Sequence, residues 1–345
     1  MLTLEKSKLS AVLALCEKAI ERKNTIPILQ NVMIVGEAGD EAVTLTATNL
    51  DIEISARLPA RLEASVAFTC PGALLKDIAG KAAADDIVFE PTERDVTVRA
   101  GRARFKLLLL PVADFPTLAR PENPVTLSIP ADALAARLQA VAFAISTEET
   151  RYYLNGIFLE HHTKADGTTQ LILVATDGHR LARRALAVEA LDAFPGVILP
   201  RATVPVVLKM IEKSKEPVTI EITGEKIRFA HGETAIVSKL VDGTFPDYKR
   251  VIPEGSPQRA SAVVAALSAA IDRVSTVANG RDSRMRFELA EGALTLKAAS
   301  ADIGDAEDTI ACEAAEPHAT AFNGKYALEA LANLGAERVE PVEML

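Results

Sequence analysis

The chain has 345 residues, 49% of them hydrophobic and 25% charged. These globular values exclude a disordered, collagen-like or disulfide-scaffold protein and leave room for two or three domains. The formal net charge of −9 argues against a globally basic nucleic-acid binder but says nothing of how charge divides between faces. The longest uncharged apolar run, Ala260 to Ile271, falls short of the ~18 residues that a bilayer span needs. The apolar stretch Leu9–Leu15 runs straight into Glu17, Lys18, Glu21 and Arg22, unlike a signal peptide. Cys16, Cys70 and Cys312 are odd in number and widely spaced, so buried thiols in a cytoplasmic protein are expected rather than disulfides or a metal pair.

Along the chain, Leu9, Leu13, Cys16 and Ile20 recur every three or four residues and predict a helix with one apolar face. That face returns at Leu134, Leu138, Val141 and Ile145, and again at Leu267, Ile271, Val274 and Ala278. The chain is therefore an internal repeat read three times. Strand runs follow: Val32–Val35 is matched by Ile157–Leu159, and Ala47-Thr48-Asn49 by Ala175-Thr176-Asp177 and then Ala298. A second helix per unit is predicted over Pro71–Ala79, Pro200–Lys213 and Asn323–Asn333, the first two opening on a proline where its missing donor costs nothing. Units one and two close on strand pairs, Asp86–Phe89 with Val96–Leu110 and Val218–Ile222 with Ile227–Leu240. Phe115-Pro116 and Phe245-Pro246 end these pairs, just before stretches at Arg120–Pro124 and Pro253–Pro257 that read as linkers. Three domains over 1–121, 126–253 and 258–345 follow. The third stops before its own Phe-Pro, with only Glu337–Met344 left of its strand pair, so an incomplete domain with an open sheet edge is expected.

Three runs of the second unit are distinctive: Arg151-Tyr152-Tyr153-Leu154-Asn155-Gly156, Val174-Ala175-Thr176-Asp177-Gly178-His179-Arg180-Leu181, and Ser238-Lys239-Leu240-Val241-Asp242-Gly243 leading to Phe245-Pro246-Asp247-Tyr248. Together with the three repeats they resemble the bacterial sliding clamps, the beta subunits of DNA polymerase III, over nearly the whole chain. The resemblance implies an α+β fold of three pseudo-repeated DNA-clamp domains. Helices would line the inside and antiparallel sheets the outside of a head-to-tail homodimeric ring around duplex DNA. It implies a non-catalytic processivity factor, without cofactor or metal, that holds DNA without sequence preference. Its further partners would be the replicative polymerase, the clamp loader and other clamp-binding peptides. A ring also reconciles an acidic chain with DNA, because only its inner face needs cations; Lys8, Arg22, Lys23, Lys76, Arg137, Lys209, Lys213 and Arg273 lie on or beside the predicted helices.

By the same resemblance, Arg151, Leu154, Thr176, Gly178, His179, Arg180, Leu181, Pro246, Arg250 and Val251 match the family's peptide pocket, with Asn323 and Tyr326 from the third domain. The apolar members would supply burial and the polar ones orientation. Lys23, Tyr152, Tyr153 and Arg201 match DNA contacts, the tyrosines as stacking faces for unpaired bases. Leu74 and Ile78 of domain one, against Thr276 and Val277 of domain three, match the dimer interface. The family's Met-Pro-Met tail, one wall of the pocket, has no counterpart here; an aromatic near Asn279–Asp282 is not evident, and Glu148 occupies a position uncharged in some relatives. A half-built pocket is therefore expected.

Catalysis would need a nucleophile, and no G-x-S-x-G elbow, phosphate loop, G-x-G-x-x-G or H-E-x-x-H is present. His161 and His162 are adjacent on a strand and point to opposite faces, without a third ligand at metal spacing. The remaining alternative is a clamp-like scaffold or truncated clamp that binds partners without closing around DNA.

Overall fold

The computed structural model describes residues 1–20, 25–189, 191–253, 260–278, 284–314 and 316–339. One order of elements is written twice in full and, among the described residues, a third time in part. The first repeat runs β1 (Leu2–Glu5), α1 (Lys6–Cys16), β2 (Asn31–Gly36), β3 (Ala42–Thr48), β4 (Ile52–Leu62), β5 (Val66–Pro71), α2 (Gly72–Lys81), β6 (Asp86–Pro91), β7 (Asp95–Ala100) and β8 (Ala103–Leu108). The second runs β9 (Val125–Pro130), α3 (Ala131–Ala142), β10 (Gly156–Thr163), β11 (Thr169–Thr176), β12 (Leu181–Val188), β13 (Val197–Pro200), α4 (Val204–Met210), β14 (Pro217–Ile222), β15 (Lys226–His231) and β16 (Thr234–Lys239). The third runs β17 (Ala260–Val263), α5 (Val264–Ser275), β18 (Arg284–Ala290), β19 (Ala293–Ser300), β20 (Gly304–Ala311), β21 (Glu313–Ala314), β22 (His318–Asn323), α6 (Gly324–Ala332) and β23 (Arg338–Val339).

The periodic leucines do what their spacing predicts: Leu9, Leu13, Leu134, Leu138, Leu267 and Ile271 are all buried. Element ends differ from the sequence reading for local reasons. Helix α1 stops at Cys16 because Lys18 and Ala19 donate to Leu15 and Cys16, three residues back, tightening the last turn so that Ile20 is buried outside the helix. Helix α4 is shorter than Pro200–Lys213, since Pro200 still belongs to β13 and Lys213 adopts φ 61°. The runs Val96–Leu110 and Ile227–Leu240 are each a hairpin, not one strand, turned at Gly101 and Gly232 with φ of 64° and 54°.

Contacts divide the chain into two compact units. The first comprises Met1–Leu138, Ile145–Ala175 and Arg183–Gly243, and the second Gln139–Ala144, Thr176–Ala182 and Thr244–Leu345. In the first unit the two opening repeats share a twelve-stranded sheet whose main path is β8-β7-β6-β1-β4-β16-β15-β14-β9. The joint is antiparallel pairing of β16 with β4, from Thr234 opposite Ala56 to Ser238 opposite Ile52, with Ile236 and Ile54 face to face and fully buried. This pairing is why the contacts group two repeats together.

Two carboxylates fasten the segment that follows β8. Glu53 on β4 accepts the Leu118 N–H at 2.7 Å, and burial raises its pKa. Glu221 on β14, only 7% exposed, is forked by Arg120 and flanked by Arg228 at 3.2 Å, and the Arg120 hydrogen bond holds its carboxyl below the usual range. Phe115 packs on Ile28 and Leu29. The linker read at Arg120–Pro124 is thus pinned at its start. Burial also pushes the free thiols of Cys16 and Cys70 up to about 12, leaving them inert.

In the second unit, α5 and α6 pack on a sheet ordered β20-β19-β18-β22, with β17 between β21 and β23. Phe287 meets Phe322 edge-on at 5.2 Å. Beyond the two residues of β23, the described residues add no counterpart of the hairpins β7–β8 and β15–β16. An apolar cavity of about 390 Å³ lies in this core, lined among others by Leu267, Ile271, Phe287, Leu331 and Val339. No helix among the described residues is long and apolar enough to cross a membrane.

Because Glu221 is ionised more readily folded than unfolded, its pairing stabilises the protein above the unfolded carboxyl pKa and is lost as pH falls through the lower folded value. Arg120→Met should therefore lower the urea midpoint at pH 7, with the gap to the parent closing as the pH is taken below the carboxylate range. A gap of equal size at pH 7 and pH 2.5 would contradict this.

Candidate functional site

The segment between β11 and β12 is held by its own side chains. Thr176 Oγ1 donates to the Arg180 carbonyl at 2.7 Å and accepts the Gly178 N–H at 3.1 Å, while Asp177 Oδ1 accepts the N–H groups of His179 and Arg180 at 2.9 and 3.1 Å. Gly178 sits at φ 89°, where a side chain would be strained. Threonine, aspartate and glycine at these places are what an Asx-type turn requires. His179 is consequently presented to solvent from a fixed backbone.

Helix α6 supplies the second part. The Asn323 side chain accepts the N–H groups of Lys325 and Tyr326 at 3.0 and 3.3 Å, satisfying two orphan donors of the first turn. The Tyr326 ring then stacks on His179, centroids 6.3 Å apart and 27° between planes. Its other neighbour is Arg180, whose guanidinium carbon lies 4.5 Å from the Tyr326 centroid and 5.2 Å from that of Phe143. Arg180 Nε donates to Asp177 at 3.1 Å, Nη1 to Glu329, and Nη2 to the Phe143 carbonyl at 2.8 Å. Thr176, Gly178, His179, Arg180, Asn323 and Tyr326 are thus brought into one cluster. Glu329 and Phe143 were missed from the sequence. Neither carried a local signal, since both reach Arg180 only through tertiary packing.

Other residues of the sequence-derived set stand elsewhere. Leu181 is half-buried at the start of β12. Pro246, Arg250 and Val251 are exposed around the turn Tyr248–Val251, which buried Phe245 and Tyr248 anchor; Arg250 pairs with Asp247 at 3.1 Å. Arg151 and Leu154 belong to the first unit, where Arg151 pairs with Glu148 at 2.7 Å and Leu154 is buried.

Among the residues matched to DNA contacts, Lys23 lies outside the described residues, as does Arg22. Tyr152 and Tyr153 form an edge-on pair at 5.8 Å, Tyr152 being 53% exposed. Asn155 joins them to Arg201: its N–H donates to the Tyr152 carbonyl at 3.0 Å, and its carbonyl accepts the Arg201 N–H at 2.9 Å. The helix cations named from the sequence are largely paired with neighbouring acids, Lys8 with Glu5, Lys76 with Glu17, Lys209 with Glu212 and Arg273 with Asp308. Of the residues matched to a dimer interface, Leu74 is 44% exposed and Thr276 is exposed, and Val277 is half-buried. Ile78 is only 5% exposed; it faces the core of its own domain and presents little side chain to a partner.

Three family models match this chain: the DNA polymerase III beta subunit N-terminal domain over residues 1–119, the central domain over 128–247 and the C-terminal domain over 249–342. The chain belongs to the DNA polymerase III beta subunit family. The beta sliding clamp of Caulobacter vibrioides is 34% identical over 98% of this chain and 92% of its own length, and that of Escherichia coli K12 is 31% identical over 98% and 91%. Among solved structures, the sliding clamp from Bartonella birtlesii bound to griselimycin matches with TM-score 0.91 and 38% identity, and the C. crescentus beta sliding clamp with TM-score 0.93 and 33%, each over 98% of this chain and 91% of theirs.

Clamp family membership makes this a non-catalytic subunit, a processivity factor of three α+β clamp domains, and directs attention to binding surfaces. The Asn323 cap is the most local of the devices that shape the His179–Tyr326 surface. Asn323→Ala is expected to cost about 1 kcal/mol in chemical denaturation of the second unit and to speed hydrogen exchange in the first turn of α6, whereas Asn323→Asp should retain most of the protection.

Proposed function

We propose that this clamp acts as a homodimer, two chains closing head to tail around duplex DNA in the cytoplasm, and that the surface around His179 and Tyr326 captures peptides of the polymerase, the clamp loader and other DNA enzymes. The observation that carries the first part is the β16–β4 joint. By position in the repeat, β16 corresponds to β8, both following a glycine turn, and β4 corresponds to β12 and β20. Strands β8 and β20 end their sheets. Carrying the register of β16 on β4 over to β8 of one chain and β20 of another puts Phe105 opposite Ala306, where the internal joint has Ile236 opposite Ile54. The same register sets Arg104 against Glu307 and Lys106 against Asp305. Opposite charges directly across a ladder stabilise and fix register. Leu74, Thr276 and Val277 belong to the same interface by family resemblance.

For DNA, the reading rests on Tyr152, Tyr153 and Arg201, joined through Asn155 on one surface, and on exposed helix ion pairs. Such pairs contribute little to stability, so their cations can exchange a neighbouring carboxylate for a passing phosphate. For peptides, it rests on the stacked His179–Tyr326 pair, the exposed Pro246 and Val251, and the ligand-bound state of the Bartonella clamp. Thr176, Gly178, Leu181, Arg250 and Asn323 complete that assignment.

Light scattering should give twice the chain mass of 36.8 kDa. Reversing both basic residues (Arg104→Glu with Lys106→Glu) is expected to weaken the dimer on the order of tenfold per pair, and adding Asp305→Lys with Glu307→Lys in the same chain to restore it. A dimer indifferent to both changes would place the interface elsewhere. Loaded on a nicked circle, the clamp should be retained until the DNA is linearised; equal loss from circle and linear DNA would favour a scaffold that does not close.

A further inference from the structure

Arg180 was matched to the peptide pocket as a residue that touches the guest, and its geometry argues otherwise. All three guanidinium nitrogens already donate within the protein, to Asp177, to Glu329 and to the Phe143 carbonyl. The group also lies over the rings of Tyr326 and Phe143, and the side chain is only 19% exposed. Three of its five N–H donors, one on each nitrogen, are thus committed to the protein's own groups, so most of what this mostly buried cation does is done within the fold.

We propose that Arg180 is a positioning residue, a strut that fixes α6 against the Thr176–Leu181 turn and so holds Tyr326 where His179 stacks on it. Three separate pieces of chain meet at this one cation: the turn through Asp177, the end of the α3 segment through Phe143, and α6 through Glu329. Glu329 lies one turn beyond Tyr326, so the bond that tethers Glu329 also sets the rotation of the helix that carries the ring. Two carboxylates face a single guanidinium here. Removing Arg180 leaves Asp177 and Glu329 near one another without a cation, which is worse than removing either acid, because an uncompensated charge in a partly buried place costs more than a missing pair. The effect on ligand capture rests on the peptide-binding reading given above; the effect on α6 does not.

The test uses the full chain, with griselimycin as the binding probe and hydrogen exchange of the α6 amides in the free protein as the second readout. Glu329→Gln is expected to weaken griselimycin binding by about threefold to tenfold and to speed exchange in α6, although the strut assigns Glu329 no contact with the guest. Arg180→Met should lose more, and the double variant Arg180→Met with Glu329→Leu should recover part of that loss, since it removes the stranded acid. A parent that ignores griselimycin, with Glu329→Gln still loosening α6, would sink the peptide reading and leave the strut standing. Binding lost in Arg180→Met but untouched in Glu329→Gln, with no recovery in the double variant and unchanged exchange, would mean that Arg180 grips the guest itself and would overturn the strut.

Discussion

Main-chain pairing between β16 and β4 is the interaction on which the rest of the first unit depends. The first and second repeats each end in a hairpin whose last strand has a free row of N–H and C=O groups to offer, and an edge of this kind pairs or aggregates. The second repeat disposes of its edge by laying it on the first, with two isoleucines buried at the centre of the joint. Backbone pairing is indifferent to sequence, so the same joint can be made wherever the repeat recurs. Side chains then have only to decide which edge accepts which strand. In the joint proposed between two chains, Arg104 and Lys106 on the first repeat's edge would face Asp305 and Glu307 on the third's, and opposite charges would carry that decision.

Charge is handled by the same economy elsewhere. The chain is acidic overall, yet four of its helix cations are held close to carboxylates, one turn away or on a neighbouring element. Exposed pairs of this type are screened and weak, which suits a protein that must hold a polyanion without gripping it. The buried pair at Glu221 behaves differently: the acid is almost wholly out of water and two arginines compensate it. Its role is mechanical, keeping the segment after β8 on the sheet to which both repeats contribute.

Much of this was legible in the chain. The three apolar helix faces follow from leucine and isoleucine spacing, and they are buried as that spacing requires; the repeat count follows from the same residues. What escaped were features that depend on backbone hand or on distant partners. Gly101 and Gly232 turn what reads as one long strand into hairpins because they adopt φ above zero, a property periodicity does not report. Ile78 satisfies an interface pattern and a core pattern equally well, and its burial under its own domain is decided by how α2 rolls on the sheet. At the site, Thr176-Asp177-Gly178 announces its turn in sequence, since those side chains bond their own backbone. The partners of Arg180 do not, because Phe143 and Glu329 reach it only through tertiary packing.

Helix α6 shows why that last network matters to the site more than its size suggests. Its inner face, at Ala327 and Leu331, borders the apolar cavity of the second unit, so it lacks part of the close packing that normally fixes a helix against its core. A helix with space beneath it can shift or roll at small cost unless something on its other face resists. Tyr326 and Glu329 are on that other face, and the Asn323 cap fixes where the helix starts. The position of the Tyr326 ring is therefore governed from outside, by one cap and one arginine. A loosely filled core makes those few polar bonds decisive for the shape of the His179–Tyr326 surface.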